Sequence, residues 1–102
     1  MSQHYFETQH EGKPVTVVMG WDRPLQGFFM VIEKASDTED EYLYSNLDDE
    51  ALFPFMGLPP TLEHFLATLK TFGLSVPPTM IEEIQADAYN NVGNRIKDHS
   101  AQ

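Results

Sequence analysis

Pro14-Val15-Thr16-Val17-Val18-Met19-Gly20-Trp21-Asp22-Arg23-Pro24-Leu25-Gln26-Gly27-Phe28-Phe29-Met30-Val31-Ile32-Glu33-Lys34 decides the fold of this chain. Two runs dense in β-branched and aromatic residues, 15–21 and 28–34, flank the turn residues Gly20 to Leu25, which predicts two neighbouring strands. Upstream, Glu11-Gly12-Lys13 before Pro14 is turn chemistry, so residues 5–9 are read as a preceding strand. Downstream, residues 41–45 form a short fourth run, reached across an acidic loop. Short loops between successive strands make an antiparallel meander the simplest topology.

Both faces of the central runs are apolar. Val15, Val17, Met19 and Trp21 alternate with Thr16, Val18 and Gly20, while Phe28, Met30 and Ile32 alternate with Phe29, Val31 and Glu33. A sheet with one wet face alternates cleanly, so these strands are expected to be covered on both sides. The C-terminal half changes period. Leu62, Phe65, Leu66, Leu69 and Phe72 make one helical stripe from residue 61, entered through Pro59-Pro60 and ended by Gly73. A second helix is expected to open with the capping-box spacing of Thr79-Met80-Ile81-Glu82 and to present Met80, Ile81, Ile84 and Ala88, ending within 90–93. Residues 94–102 are polar and read as a frayed tail. The expectation is an α+β fold, a four-stranded antiparallel meander packed by two amphipathic helices, in a single domain over 1–93.

Two helices cover one sheet face. The second is expected to be shielded by the proline-rich segment 52–60, whose apolar side chains would fold back over it, or by a second copy of the chain. At 102 residues the chain has room for one core and for no deep cavity. Sixteen acidic residues against six basic ones give a formal charge of -10, and Asp37, Glu39, Asp40, Glu41, Asp48, Asp49 and Glu50 cluster without a Lys or Arg among them. Such a field repels phosphate backbones and anionic lipid, so neither nucleic acid nor membrane is expected as a partner. The acidic loop serves solubility or docks a basic partner. The absence of cysteine excludes thiol catalysis, disulfides and thiolate metal sites. With no secretory pattern at Met1-Ser2-Gln3-His4, a cytoplasmic location is expected.

Chemistry-bearing motifs are few. The sequence has no nucleophile elbow, P-loop or dinucleotide fingerprint, no cofactor is expected, and Asp37 to Glu41 lacks the glycine and distant Glu of a calcium loop. His4, His10, His64 and His99 are scattered without metal-ligand spacing and are read as surface titrating groups. Two stretches carry interface-type residues. Trp21, Asp22, Arg23 and Pro24 form one: Arg and Trp are enriched at hot spots, and Asp22 could hold the guanidinium. Trp21 itself is equally suited to sealing the end of the core. Phe53, Phe55 and Met56 form the other. The leading expectation is an acidic interaction or regulatory domain with a protein partner or a homodimeric mode. The alternatives are an enzyme without a known motif, drawing on Asp22, Arg23, His64 or Tyr44, and an acidic mimic of nucleic acid that blocks a basic protein.

Gly20-Trp21-Asp22-Arg23-Pro24-Leu25, with Phe28-Phe29 and Tyr42-Leu43-Tyr44-Ser45-Asn46-Leu47-Asp48, resembles a pattern of small uncharacterised bacterial proteins. The resemblance covers about residues 4–50. It implies a bacterial cytoplasmic protein and brings no activity, cofactor or site residue with it.

Overall fold

The computed structural model describes residues 1–34 and 42–100. Asp37, Glu39, Asp40 and Glu41 of the acidic loop lie outside the described residues. Strands β1 (Ser2–His10), β2 (Lys13–Asp22), β3 (Gly27–Lys34) and β4 (Tyr42–Ser45) form the antiparallel meander. Two 3-10 turns, Asn46–Asp48 and Glu50–Phe55, lead to helices α1 (Glu63–Thr71) and α2 (Pro78–Tyr89). The chain then adds β5 (Arg95–Asp98), parallel to β1, and the sheet order is β4-β3-β2-β1-β5.

The sheet therefore has five strands and is mixed, which corrects the expectation of a four-stranded meander and of a frayed tail over 94–102. The reason is visible in the register. Ser2 pairs with Arg95 and His4 with Lys97, so a strand too short and polar to announce itself gains a backbone ladder on the free edge of β1. Its alternate side chains find charged partners on α2, as described below.

The core lies between one sheet face and the helices. Val15, Val17, Met19 and Trp21 of β2 and Phe28, Met30 and Ile32 of β3 pack with Leu62, Phe65, Leu69, Leu74, Met80 and Ile84. The Trp21 and Phe28 rings, opposite each other in the ladder, meet edge to face at 5.1 Å. Helix α1 stops as its composition predicts: Gly73 takes φ 72°, and Leu74 N–H returns to the Leu69 carbonyl (2.8 Å). Helix α2 starts differently from the capping-box expectation. Pro77 is its N-cap and Pro78 its first residue, so Thr79 is already inside the helix and makes no cap. A proline at the first helical position loses no hydrogen bond there and has its φ preset.

The opposite sheet face is also closed at its centre. Val18 and Phe29 are buried yet outside the helix-side core. Phe29 lies against Gly20, whose missing Cβ would stand 2.9 Å from the ring and 1.9 Å from the Ser2 carbonyl oxygen. The proline-rich segment meets this face at one end, where Leu58 lies against Gly27: a Cβ there would stand 2.6 Å from the Leu58 Cβ. Its Leu52 joins the helix-side core, and the Pro59 carbonyl accepts from Phe28 N–H at the start of β3 (3.0 Å). Phe53, Phe55 and Met56 stay outside the core, contrary to the expectation that they would shield the sheet.

Candidate functional site

Three polar or apolar groupings stand out, and the sequence reading anticipated two of them only in part. The first is buried. His4 on β1 shares the helix-facing side with Phe6, and Asp87 on α2 falls on the same stripe as Met80 and Ile84. His4 Nε2–H donates to Asp87 Oδ2 (2.6 Å), and His4 Nδ1 lies 2.9 Å from His99 Nε2, with one proton between the two rings. Arg95 donates to the other Asp87 oxygen (2.8 Å) and to Glu83 Oε1 (2.5 Å), and Lys97 binds Glu83 as well (2.9 Å). His4 and His99 are wholly buried, so their reading as surface groups is corrected.

The electrostatics follow from this packing. Burial pushes the Asp87 carboxyl up, but hydrogen bonds from His4, Arg95 and Ser2 outweigh it and hold the group below its ordinary value. For His99 burial lowers the pKa and the charge of His4 lowers it further, against the opposing pull of Glu83. His99 Nδ1 is a buried side-chain atom without a hydrogen-bond partner among the described residues, 3.8 Å from Glu83 Oε2. With no atom of the two rings open to solvent, the trio cannot touch a substrate. It clamps β1, α2 and β5 together.

A second grouping braces the other end of the molecule. Asp49 Oδ2 accepts from Tyr44 O–H (2.6 Å) and His64 Nε2–H (2.7 Å), while Oδ1 accepts from Ala51 N–H (3.0 Å). One carboxylate thus ties β4, α1 and the second 3-10 turn. Burial, and after it the bond to Asp49 and the carboxylate's charge, push the Tyr44 phenol up. Burial raises Asp49, but the bonds from Tyr44, His64 and Ala51 outweigh it and leave the carboxyl lowered. Sequence reading placed His64 on the solvent side of α1, and the half-exposed ring is instead committed to Asp49.

The third grouping is apolar and open. Phe53 (59%), Phe55 (48%) and Met56 (83%) are exposed, with Leu47 (67%) beside them. Met56, the C-cap of the second 3-10 turn, donates its N–H to the Phe53 carbonyl (3.0 Å). Leu47 packs on Gly57, the next residue: a Cβ there would stand 3.1 Å from Leu47 Cδ2. The segment is held rigidly. Ser45 and Asp49 cap the two 3-10 turns, Asn46 Nδ2–H donates to the Gly57 carbonyl (2.8 Å), and Met56 closes the second turn in the left-handed conformation.

The turn between β2 and β3 divides its four candidates. Trp21 is core, and its indole N–H donates to Asn91 Oδ1 (3.3 Å). Asp22 does not hold the guanidinium: its carboxylate accepts from Leu25 N–H (3.1 Å) and fixes the turn. Arg23 and Pro24 are exposed. Phe53, Phe55 and Met56 are thus exposed on one short stretch, while Arg23 and Pro24 are exposed on the β2–β3 turn.

Among the described residues no cluster of His, Asp and Glu is arranged to hold a metal, and no helix is long and apolar enough to cross a membrane. Compared with known proteins, the chain matches no family model, no curated protein and no solved structure.

Proposed function

We propose that this chain is an acidic protein-interaction domain whose docking surface is the ridge formed by Leu47, Phe53, Phe55 and Met56. The observation that carries this reading is the exposure of four large apolar side chains on a capped, hydrogen-bonded segment. Exposed apolar groups gathered on one small segment mark interaction sites, and aromatic and Met side chains are enriched at interface centres.

The flanking charge selects the partner. Asp48 and Glu50 are exposed next to the ridge, in a molecule of formal charge -10. A protein segment that sets apolar anchors among Lys and Arg residues satisfies both features, with the acidic rim steering encounter and the ridge supplying the buried contact. A second copy of this chain brings the same negative charge to the interface, so self-association is the less favoured occupant.

The test is an NMR titration of the labelled protein with a synthetic amphipathic Leu/Lys helix peptide. Resonance changes concentrated at residues 47–57, weakening with salt, are the expected result. Changes spread over the acidic surface with the ridge unaffected would overturn the reading, and so would a salt-independent dimer buried through the ridge.

A further inference from the structure

We propose that the groove beside Arg23, at the opposite end of the sheet strands from the β1–β2 turn, is a carboxylate-binding site distinct from the apolar ridge. The groove has a volume of about 450 Å³ and is walled by Arg23, Gln26, Asn91, Gly93 and Asn94 among others, with no carboxylate in its lining. Arg23 is exposed, and its guanidinium makes no hydrogen bond or ion pair among the described residues. Arg95 and Lys97, by comparison, are both bound to Glu83.

The neighbouring amides are oriented for the same task. Asn91 Oδ1 accepts from Trp21 Nε1–H (3.3 Å) and from Gln26 Nε2–H (2.8 Å), which fixes its amide and leaves Nδ2 as an uncommitted donor. Asn94 Oδ1 accepts from the Met1 nitrogen (3.4 Å), again leaving Nδ2. Gln26 also donates to the Arg23 carbonyl (2.7 Å), so its donors are spent within the turn and its Oε1 is the spare side-chain acceptor. The guanidinium N–H groups, two amide NH2 groups and the Met1 ammonium are therefore the donors this groove offers.

The position of Arg23 is prepared by a glycine. A Cβ on Gly93 would stand 3.0 Å from Arg23 Nη1 and 3.7 Å from Cδ, so the side chain rests against bare backbone. A planar fork held in this way matches a carboxylate with two parallel hydrogen bonds. The Met1 ammonium, which donates to Asn94 Oδ1 (3.4 Å), adds a second positive charge to the lining, so a carboxylate is preferred to a phosphate for its match to the planar fork of Arg23 and not for its charge. The carboxylate can belong to a small free acid or to the end of a polypeptide.

The experiment follows the Arg23 Nε–H, the Asn91 and Asn94 side-chain amides and the Trp21 indole N–H by NMR at constant ionic strength. The probes are acetate, inorganic phosphate, and acetyl-tetraalanine as the free acid and as the C-terminal amide. Saturable shifts with acetate and with the peptide acid, none with the peptide amide, are expected. Tighter binding of the peptide acid than of acetate identifies a chain terminus as the ligand, and equal affinity identifies a free acid. Arg23→Gln should weaken binding about tenfold, the scale of a lost charged hydrogen bond, with the rest of the spectrum unchanged. Gly93→Ala, which crowds the guanidinium without removing it, should also weaken binding. Equal shifts from peptide acid and amide, phosphate saturating more tightly than acetate, or an unaltered titration in Arg23→Gln would each overturn the proposal. None of these outcomes depends on whether the ridge binds a basic partner.

Discussion

Asp87 shows how much one side chain can decide. It sits on the apolar stripe of α2, almost wholly buried, and is held by His4 and Arg95. Breaking a buried, hydrogen-bonded pair by removing one partner leaves the other charge uncompensated, so Asp87→Asn should cost about 3–5 kcal/mol in urea unfolding. The pH dependence follows from two depressed groups. His99 stays uncharged in the folded protein below its ordinary value of 6.5, where the unfolded chain takes up a proton. Its contribution is complete above that value and is lost as pH falls through it. Asp87 is charged when folded below its ordinary 3.8, so its contribution is complete above 3.8 and is lost at lower pH. Unfolding free energy should thus decline in two steps on acidification, and His99→Asn should remove the first. A wild-type stability that rises between neutrality and pH 5 would contradict this assignment. The signal for the clamp was present in the sequence, because a carboxylate in phase with Met80 and Ile84 requires a partner. The partner was hidden: His4 lay one residue outside the expected strand, and His99 lay within the run read as a tail.

Among the elements, the strands with strong β patterns and the two helices were readable because each carried its own period. Val17, Met19, Met30 and Ile32 alternate, and Phe65 and Leu69 repeat at helical spacing, as their burial in one core requires. β5 was not readable. Apart from Ile96, its residues Arg95, Lys97 and Asp98 have little β propensity, and the strand exists through pairing with β1 and through the bonds of Arg95 and Lys97 to α2, both long-range interactions. The proline-rich segment misled for a related reason. Composition marked its side chains as apolar, but only the caps at Ser45, Asp49 and Met56 decide which of them face inward. The two phenylalanines Phe55 and Phe65 separate these cases. Phe65→Ala should cost about 3–5 kcal/mol, as truncation of a fully buried ring does, and Phe55→Ala should remain within about 0.5 kcal/mol. Equal losses in denaturant unfolding would place Phe55 in the core after all.

Taken whole, the molecule is asymmetric in what it exposes. The buried clamp at β1, α2 and β5 and the Asp49 brace at β4 and α1 are satisfied internally, apart from His99 Nδ1. Among the described residues, the open features include an apolar segment with acidic neighbours and a cationic groove without an acidic one. Residue types alone marked Trp21, Asp22, Arg23 and Pro24 as one contact stretch and Phe53, Phe55 and Met56 as another, and did not reveal that Trp21 and Asp22 are spent within the fold, because that depends on the assembled sheet. The ridge is the central claim, and it makes opposite demands on stability and binding. The direct measurement is therefore unfolding free energy and affinity for the amphipathic Leu/Lys peptide on the same Phe53→Ala/Met56→Ala protein, with the exposed Leu25→Ala as reference. A docking ridge predicts stability within about 1 kcal/mol of wild type and affinity reduced about tenfold or more, with Leu25→Ala unchanged in both. A protein that loses several kcal/mol of stability while binding the peptide as before would contradict it.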